Sequence, residues 1–255
     1  MSEPRRKVER IRNDIRGEAT RIELLEAAEE LFAERGIENV SLRQIGSAIG
    51  SENNGVVSYY FGTKAGLLRA IYEYRIPELE GKRAQLLCLA DEMGMGHDTV
   101  VLLFIMWSPI FEQRNHNGKR SYAGFLASVA HSSDISLPSL SRSYPVTREL
   151  ADRLRSNAQV PEIQFWKRMR MISMMMIAAI QDAAELERKG SKHTQIDEVF
   201  LDALQLAAVA LTSSQRRADS LRRYVDAAKK ARATSSGANS PASSASRRPR
   251  KLRSQ

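Results

Sequence analysis

The sequence predicts an all-α protein, a small three-helix domain followed by a larger helical one. Three observations predict it. Apolar residues recur at three-to-four-residue spacing in segment after segment, and no strand-like alternation persists. Beyond the first seventy or so positions the strong helix formers Ala, Leu, Met, Arg and Glu dominate. Gly36, Gly50 and Gly94-Met95-Gly96 fall between periodic segments, where chain reversals belong. A length of 255 residues gives room for about two domains of ordinary size, and an apolar content of 42% supports a real core.

In the first periodic segment Ile22, Leu25, Ala28 and Phe32 share one face, with Leu24 and Leu31 beside them. Glu23, Glu26, Glu29, Glu30 and Glu34 take the other, which makes an amphipathic helix with a solvated acidic side. Gly36 is placed to stop it, because glycine adopts the left-handed backbone of a helix C-terminus without steric cost. The second helix starts at Ser41, whose capping box is completed by Gln44, and Leu42, Ile45, Ala48 and Ile49 give it a buried face. Gly50 ends it. Ser51-Glu52-Asn53-Asn54-Gly55 has the chemistry of a turn and a cap, so a third helix is expected from Asn54 to Tyr60.

Two short helices joined by a tight turn are small enough for the second to lie in a DNA major groove while the first crosses the backbone. The same pattern fits a three-helix packing unit with no DNA role equally well. Ala27-Ala28, Leu31-Phe32, Gly36, Ser41, Ile45, Gly50, Tyr59, Phe61, Lys64 and Leu67-Leu68, in that order and spacing, resemble the N-terminal domain of the tetracycline-repressor (TetR) family of bacterial transcriptional regulators. Asn53-Asn54 and Tyr59-Tyr60-Phe61-Gly62 resemble the branch with an Asn-Asn pair and a Tyr-His-Phe-Gly ending, Tyr60 standing where that branch has His. The stretch from Ile45 to Phe61 is one residue longer than in commoner members, so base contacts are not carried over one by one. The resemblance implies a DNA-binding role for Ser41 and Arg43 on the second helix, for Asn53, Asn54, Gly55, Val56, Ser58, Tyr59 and Tyr60 at the third, and for Lys64 at the start of the fourth. Ser41, Tyr59 and Lys64 would take phosphate; Asn54, Val56 and Ser58 would face bases.

Past this domain a linking helix runs from Lys64 to Tyr74, and Pro77 is expected to end or kink it before a further helical piece from Glu78 to Glu92. Gly94-Met95-Gly96 breaks the chain. Helices follow over Val100 to Phe111, interrupted near Pro109, then Tyr122 to His131, Val146 to Asn157, Glu162 to Arg188 and Ile196 to Leu211. Asn115 to Gly118 reads as a polar loop and Ser132 to Leu140 as a connection. Ser214 can cap a further amphipathic helix. The domain plan is therefore 1–16, a basic arm; 17–77, the helix-turn-helix domain, with the motif at about 41–60; 78–213, a helical ligand-binding and dimerisation domain; 214–233, an extra amphipathic helix; and 234–255, a Ser- and Ala-rich basic tail expected to be disordered.

The stretch from Pro161 to Asp182 and the helix from Ile196 to Leu211 resemble the last two helices of the same family branch. The resemblance implies a homodimer through a four-helix bundle, and Phe200, Leu204, Ala207, Ala208 and Leu211 supply a seam for it. Phe104, Trp107, Phe111, Tyr122, Phe125, Trp166, Met169 and Met175 can line an apolar pocket for a small-molecule effector, although such residues also make ordinary core.

Other chemistry finds little purchase. His97, His116, His131 and His193 are scattered, no cysteine pair exists for zinc, and no phosphate-cradling or nucleophile-elbow motif occurs, so neither a metal, a cofactor nor an enzyme is expected. The lone Cys88 allows no internal disulfide, reads as a buried thiol and suits a reducing cytoplasm. No segment has the apolar length of a membrane span, and no secretory signal is recognisable. Charge is uneven: six cations against three acids in residues 1–17, and twelve against two from Ser213 onward, whereas the middle has a net charge of −4. The third helix carries no cation. Much of the phosphate attraction would then come from the ends of the chain, or be small.

Taken together, these features lead to the expectation of a cytoplasmic, homodimeric, DNA-binding transcriptional repressor released from double-stranded operator DNA by a small molecule. The alternatives are a ligand-independent regulator whose second domain only dimerises, and a helical small-molecule-binding protein or enzyme.

Overall fold

The computed structural model describes residues 3–53, 55–131, 144–213 and 222–230, with backbone alone for 3–15 and 131. All regular structure among them is helical: α1 (Glu3–Arg35), α2 (Leu42–Ala48), α3 (Val56–Phe61), α4 (Lys64–Glu92), α5 (Thr99–Glu112), α6 (Ser121–His131), α7 (Pro145–Ala158), α8 (Glu162–Arg188) and α9 (His193–Thr212). Residues 1–212 form one compact unit and 213–255 a second, described only as an exposed helical stretch over 222–230. Asn54, the connection expected after His131, most of the extra helix outside 222–230 and the basic tail lie outside the described residues.

The local signals mostly act as the chemistry requires. Gly36 takes φ 78° and returns its N–H to the Phe32 carbonyl at 3.0 Å, closing α1. The Ser41–Gln44 capping box is formed, with the Ser41 N–H donating to Gln44 Oε1 at 2.8 Å and the Gln44 N–H to Ser41 Oγ at 3.3 Å. Leu24, Leu25, Ala28 and Phe32 are fully buried, and Ile45, Val57, Leu67 and Ile71 close the core of the small domain over them. Each of the larger side chains contributes about 1.5–3 kcal/mol on burial.

Four expectations fail. Residues 3–16, read as an arm, are helical backbone continuous with α1. Helix α4 runs unbroken through Pro77, whose ring is exposed, so the carbonyl it deprives of a donor lies toward water while Ile76 and Leu79 continue the buried face. Helix α5 likewise continues through Pro109, and there buried Arg83 donates to the Met106 carbonyl through Nε (3.1 Å) and Nη2 (2.9 Å). Cys88 is exposed, and its thiol, donating to Glu92 Oε1 at 3.5 Å, is pushed up by that hydrogen bond.

Helix α1 packs along α6 and against α4; α5 sits among α4, α7 and α9; α8 and α9 form the most extensive pair. None of the described helices is long and apolar enough to cross a membrane.

Candidate nucleic-acid interface

Helices α2 and α3 cross at Gly46, where a Cβ would lie 3.2 Å from Val56 Cγ1 and 3.8 Å from the Asn53 carbonyl. A larger residue would push the two apart. Ile45 and Val57 fill the crossing from the core side. Next to it, a Cβ at Gly66 would lie 2.2 Å from the Phe61 carbonyl, so the end of α3 abuts the first turn of α4. Neither glycine was marked by sequence reasoning, which looked for glycine only at turns.

The expected DNA-binding residues divide by environment. Ser41, Arg43, Asn53, Gly55, Ser58 and Tyr59 are exposed, Tyr59 to 82%. Asn53 Oδ1 accepts from the Gly55 N–H at 2.9 Å and Ser51 Oγ from the Asn53 N–H at 3.3 Å, which shapes the turn before α3. Val56 and Tyr60 are half-buried. The Tyr60 ring stands edge-on to Tyr59 (5.1 Å between centroids), and its hydroxyl lies 3.6 Å from the Cβ position of Gly17. Tyr60 therefore packs toward α1. Lys64, half-buried, donates through Nζ to the Ile37 carbonyl at 2.7 Å, tying the start of α4 to the loop after α1.

Behind this surface lies a charged junction that the sequence reading placed in solvent. Glu26 and Glu29 are buried, Glu29 to 1% exposure, and they hold buried Arg75 of α4: Nε donates to Glu29 Oε2 at 2.7 Å, and Nη2 to Glu29 Oε1 at 3.2 Å and Glu26 Oε1 at 3.5 Å. Burial would lower the Arg75 pKa, but the Glu29 carboxylate outweighs it and raises it. Tyr74 and His116 also meet Glu26, and Ser121 Oγ donates to Glu29. Asn115 donates to Glu30 at 3.1 Å, and Lys119 pairs with Glu30 and Glu34. Burial would raise the Glu30 pKa, but the hydrogen bonds from Lys119 and Asn117 hold the carboxyl below its usual range. Ser128 Oγ reaches the Phe32 carbonyl at 2.7 Å, and a Cβ on Gly124 would come within 2.8 Å of Ala33 Cβ. Thus α4, the α5–α6 loop and α6 all grip α1. A signal was present: Arg75 falls on the apolar stripe Leu68, Tyr72, Leu79, where a cation must find a buried partner.

The expected dimer seam is corrected. Phe200, Leu204, Ala207, Ala208 and Leu211 are all buried inside the chain and face its own core. Helix α9 is apolar on two sides, and this one faces its own core; the exposed apolar residues are Leu201, Leu206 and Val209, joined by Ile163, Met171 and Met174 of α8. The pocket candidates fall into separate groups. Phe104 and Phe111 meet at Phe200, Tyr122 and Phe125 pack toward Phe32 of α1, and Trp166 stands against Phe165. Trp107 and Met169 are buried, and Met175 is half-buried.

Residues 24–71 match the family model of bacterial regulatory proteins of the tetR family. No curated protein matches the sequence.

Proposed function

We propose that this chain, through residues 24–71 a DNA-binding transcriptional regulator of the tetR family, is a cytoplasmic homodimeric repressor that a small molecule releases from its operator. The observation that carries the reading is the junction of Arg75 with Glu26 and Glu29. It joins the helices that support the exposed Ser58 and Tyr59 to the α5–α6 loop through His116 and to the start of α6 through Ser121.

A shift of that loop on ligand binding pulls on α1 through Ser121, Asn115 and His116. In a dimer the two α3 helices must keep a spacing near one DNA turn, about 34 Å, so a small pivot weakens binding. Two copies pair through the outer apolar stripe of α8 and α9. Exposed Ser41, Arg43 and Tyr59 approach phosphates and Ser58 the base edges. The chain acts as a regulator and not as an enzyme.

The test is a gel shift with DNA upstream of the chain's own gene, followed by a metabolite screen for loss of that shift. Absence of any sequence-preferring shift sinks the reading. Sedimentation tests the dimer: Val209→Glu should give folded monomers that bind DNA poorly, and an undisturbed dimer would place the interface elsewhere.

A further inference from the structure

Three buried polar groups around the C-terminal half of α5 have no hydrogen-bond partner among the described residues: Trp107 Nε1, Ser108 Oγ and Arg120 Nη1. Trp107 and Ser108 are 6% and 2% exposed, and the Arg120 side chain 6%. Leaving a buried donor unpaired costs about 1–3 kcal/mol, and more for a charged one, so native interiors carry few of them.

Their surroundings suit a ligand. Phe104, Trp107, Ser108 and Phe111 recur at the i, i+3, i+4, i+7 spacing of one face of α5. Phe200 of α9 stacks on Phe111 at 4.3 Å and stands edge-on to Phe104 at 6.3 Å. The Arg120 guanidinium carbon lies 4.1 Å from the Phe111 ring centroid, against that same aromatic cluster. Arg120 Nε donates to Glu187 Oε2 at 3.0 Å, but Arg114 takes both oxygens of this carboxylate, at 3.0 and 2.8 Å. Exposed Asp197 attracts Arg120 only at longer range. One half-buried carboxylate is shared by two guanidiniums, and Arg120 Nη1 is left without a partner.

An indole N–H and a guanidinium can only donate, so whatever complements them must accept, and next to a cation it is best an anion. We propose that the aromatic face of α5 with Arg120 is the effector site, and that the effector is a monocarboxylate on a compact apolar body. The carboxylate takes Arg120 Nη1, the apolar body lies against Phe104 and Phe111, and Trp107 or Ser108 meets a second acceptor. A single free guanidinium edge fits a monoanion, whereas a phosphate dianion would call for more donors. Arg120 directly precedes Ser121, which donates to Glu29 of α1, so a carboxylate seated there acts one residue from the link to the DNA-binding helices. The proposal rests on the ligand-responsive reading above.

The test is equilibrium dialysis of the full chain with three matched probes: 4-phenylbutyrate, its amide and 4-phenylbutylamine. The acid should bind at least about tenfold more tightly than the amide and the amine, a gap typical of one charge-assisted pair. Arg120→Gln should erase that preference, and Arg120→Lys should keep part of it. Arg114→Gln, which loosens the same Glu187 carboxylate, should keep it in full; circular dichroism confirms that each variant is folded. Equal binding of the three probes, preference for the amine, or no binding at millimolar concentration overturns the proposal, as does an unchanged preference in Arg120→Gln. Operator release is measured separately by gel shift. Binding of the acid without release would leave the site standing and remove the ligand-responsive reading. Release by other compounds, undiminished in Arg120→Gln, would do the reverse.

Discussion

At the crossing of α2 and α3 the buried contacts are apolar and small, with Ile45, Gly46 and Val57 inside and polar side chains outside. Where α1 meets α4, the α5–α6 loop and the start of α6, Arg75, Glu26 and Glu29 are inside, and Tyr74, His116 and Ser121 complete them. An apolar crossing has one good packing and tolerates little sliding. A buried charge network adds little net stability when whole and is costly when one member is lost, so it defines one arrangement sharply against its alternatives. The first suits a surface that must keep its shape; the second suits a joint that must hold or let go.

The largest contrast should come from cutting the joint. Glu29→Ala strands the Arg75 guanidinium in the core and should cost about 3–5 kcal/mol. Urea unfolding would measure it. Arg75→Met combined with Glu29→Leu should recover much of that loss, because the Arg75–Glu29 pair is then removed as a unit while Glu26 keeps Tyr74 and His116. A double variant as unstable as the sum of its parts would mean that the pair contributes through packing, and the contrast with the α2–α3 crossing would vanish.

Next come the close approaches on either side. Gly124→Ala must displace Ala33 of α1 and should cost about 1–3 kcal/mol, whereas Gly46→Ala meets a Val56 methyl at 3.2 Å and should cost less in stability. Gly46→Ala should nevertheless weaken DNA binding, since it moves α3 on α2. If the two variants lose stability equally and bind DNA equally, the two contacts are not different in kind.

The small domain was legible because its signals are local. Ser41 with Gln44, Gly36 and the apolar stripe of α1 each act within a few residues, and all three appear as expected. Glu26 and Glu29 were misplaced because their burial depends on Arg75, more than forty residues away, and on a loop about ninety residues away. Helix α9 was misread for a related reason. It has two apolar sides, Phe200 with Leu204 and Leu201 with Val209, and only the position of α5 and α8 decides which one is core. Pro77 misled because the usual rule counts the lost hydrogen bond and not the side of the helix on which it is lost.

A smaller effect should appear with acid. Burial would raise the Glu30 and Glu187 carboxyls, but hydrogen bonds from Lys119, and from Arg114 with Arg120, hold both below the ordinary glutamate value of 4.5. A depressed carboxyl contributes stability that is complete above its unfolded value and is lost as pH falls through the folded one. Thermal melting should therefore be flat above pH 4.5 with respect to these groups and decline below it, less steeply in Glu30→Gln. An identical acid limb in that variant would show that Lys119 adds nothing to the grip on α1.

The smallest effect on stability should accompany a large one on function. Tyr59 is 82% exposed, and its ring touches only Tyr60 among the described aromatic rings, so Tyr59→Ala should leave unfolding within about 0.5 kcal/mol of the unaltered protein. Operator affinity should fall by roughly 1–3 kcal/mol if the hydroxyl or ring meets the DNA. Lys64→Met makes the complementary case. Its ammonium is engaged with the Ile37 carbonyl, so that change should lower stability as well as DNA binding. Measuring both quantities for both variants separates a side chain presented to a partner from one spent on holding the fold. If Tyr59→Ala unfolded readily while keeping full operator affinity, α3 would be a packing element and the DNA surface would have to be sought elsewhere.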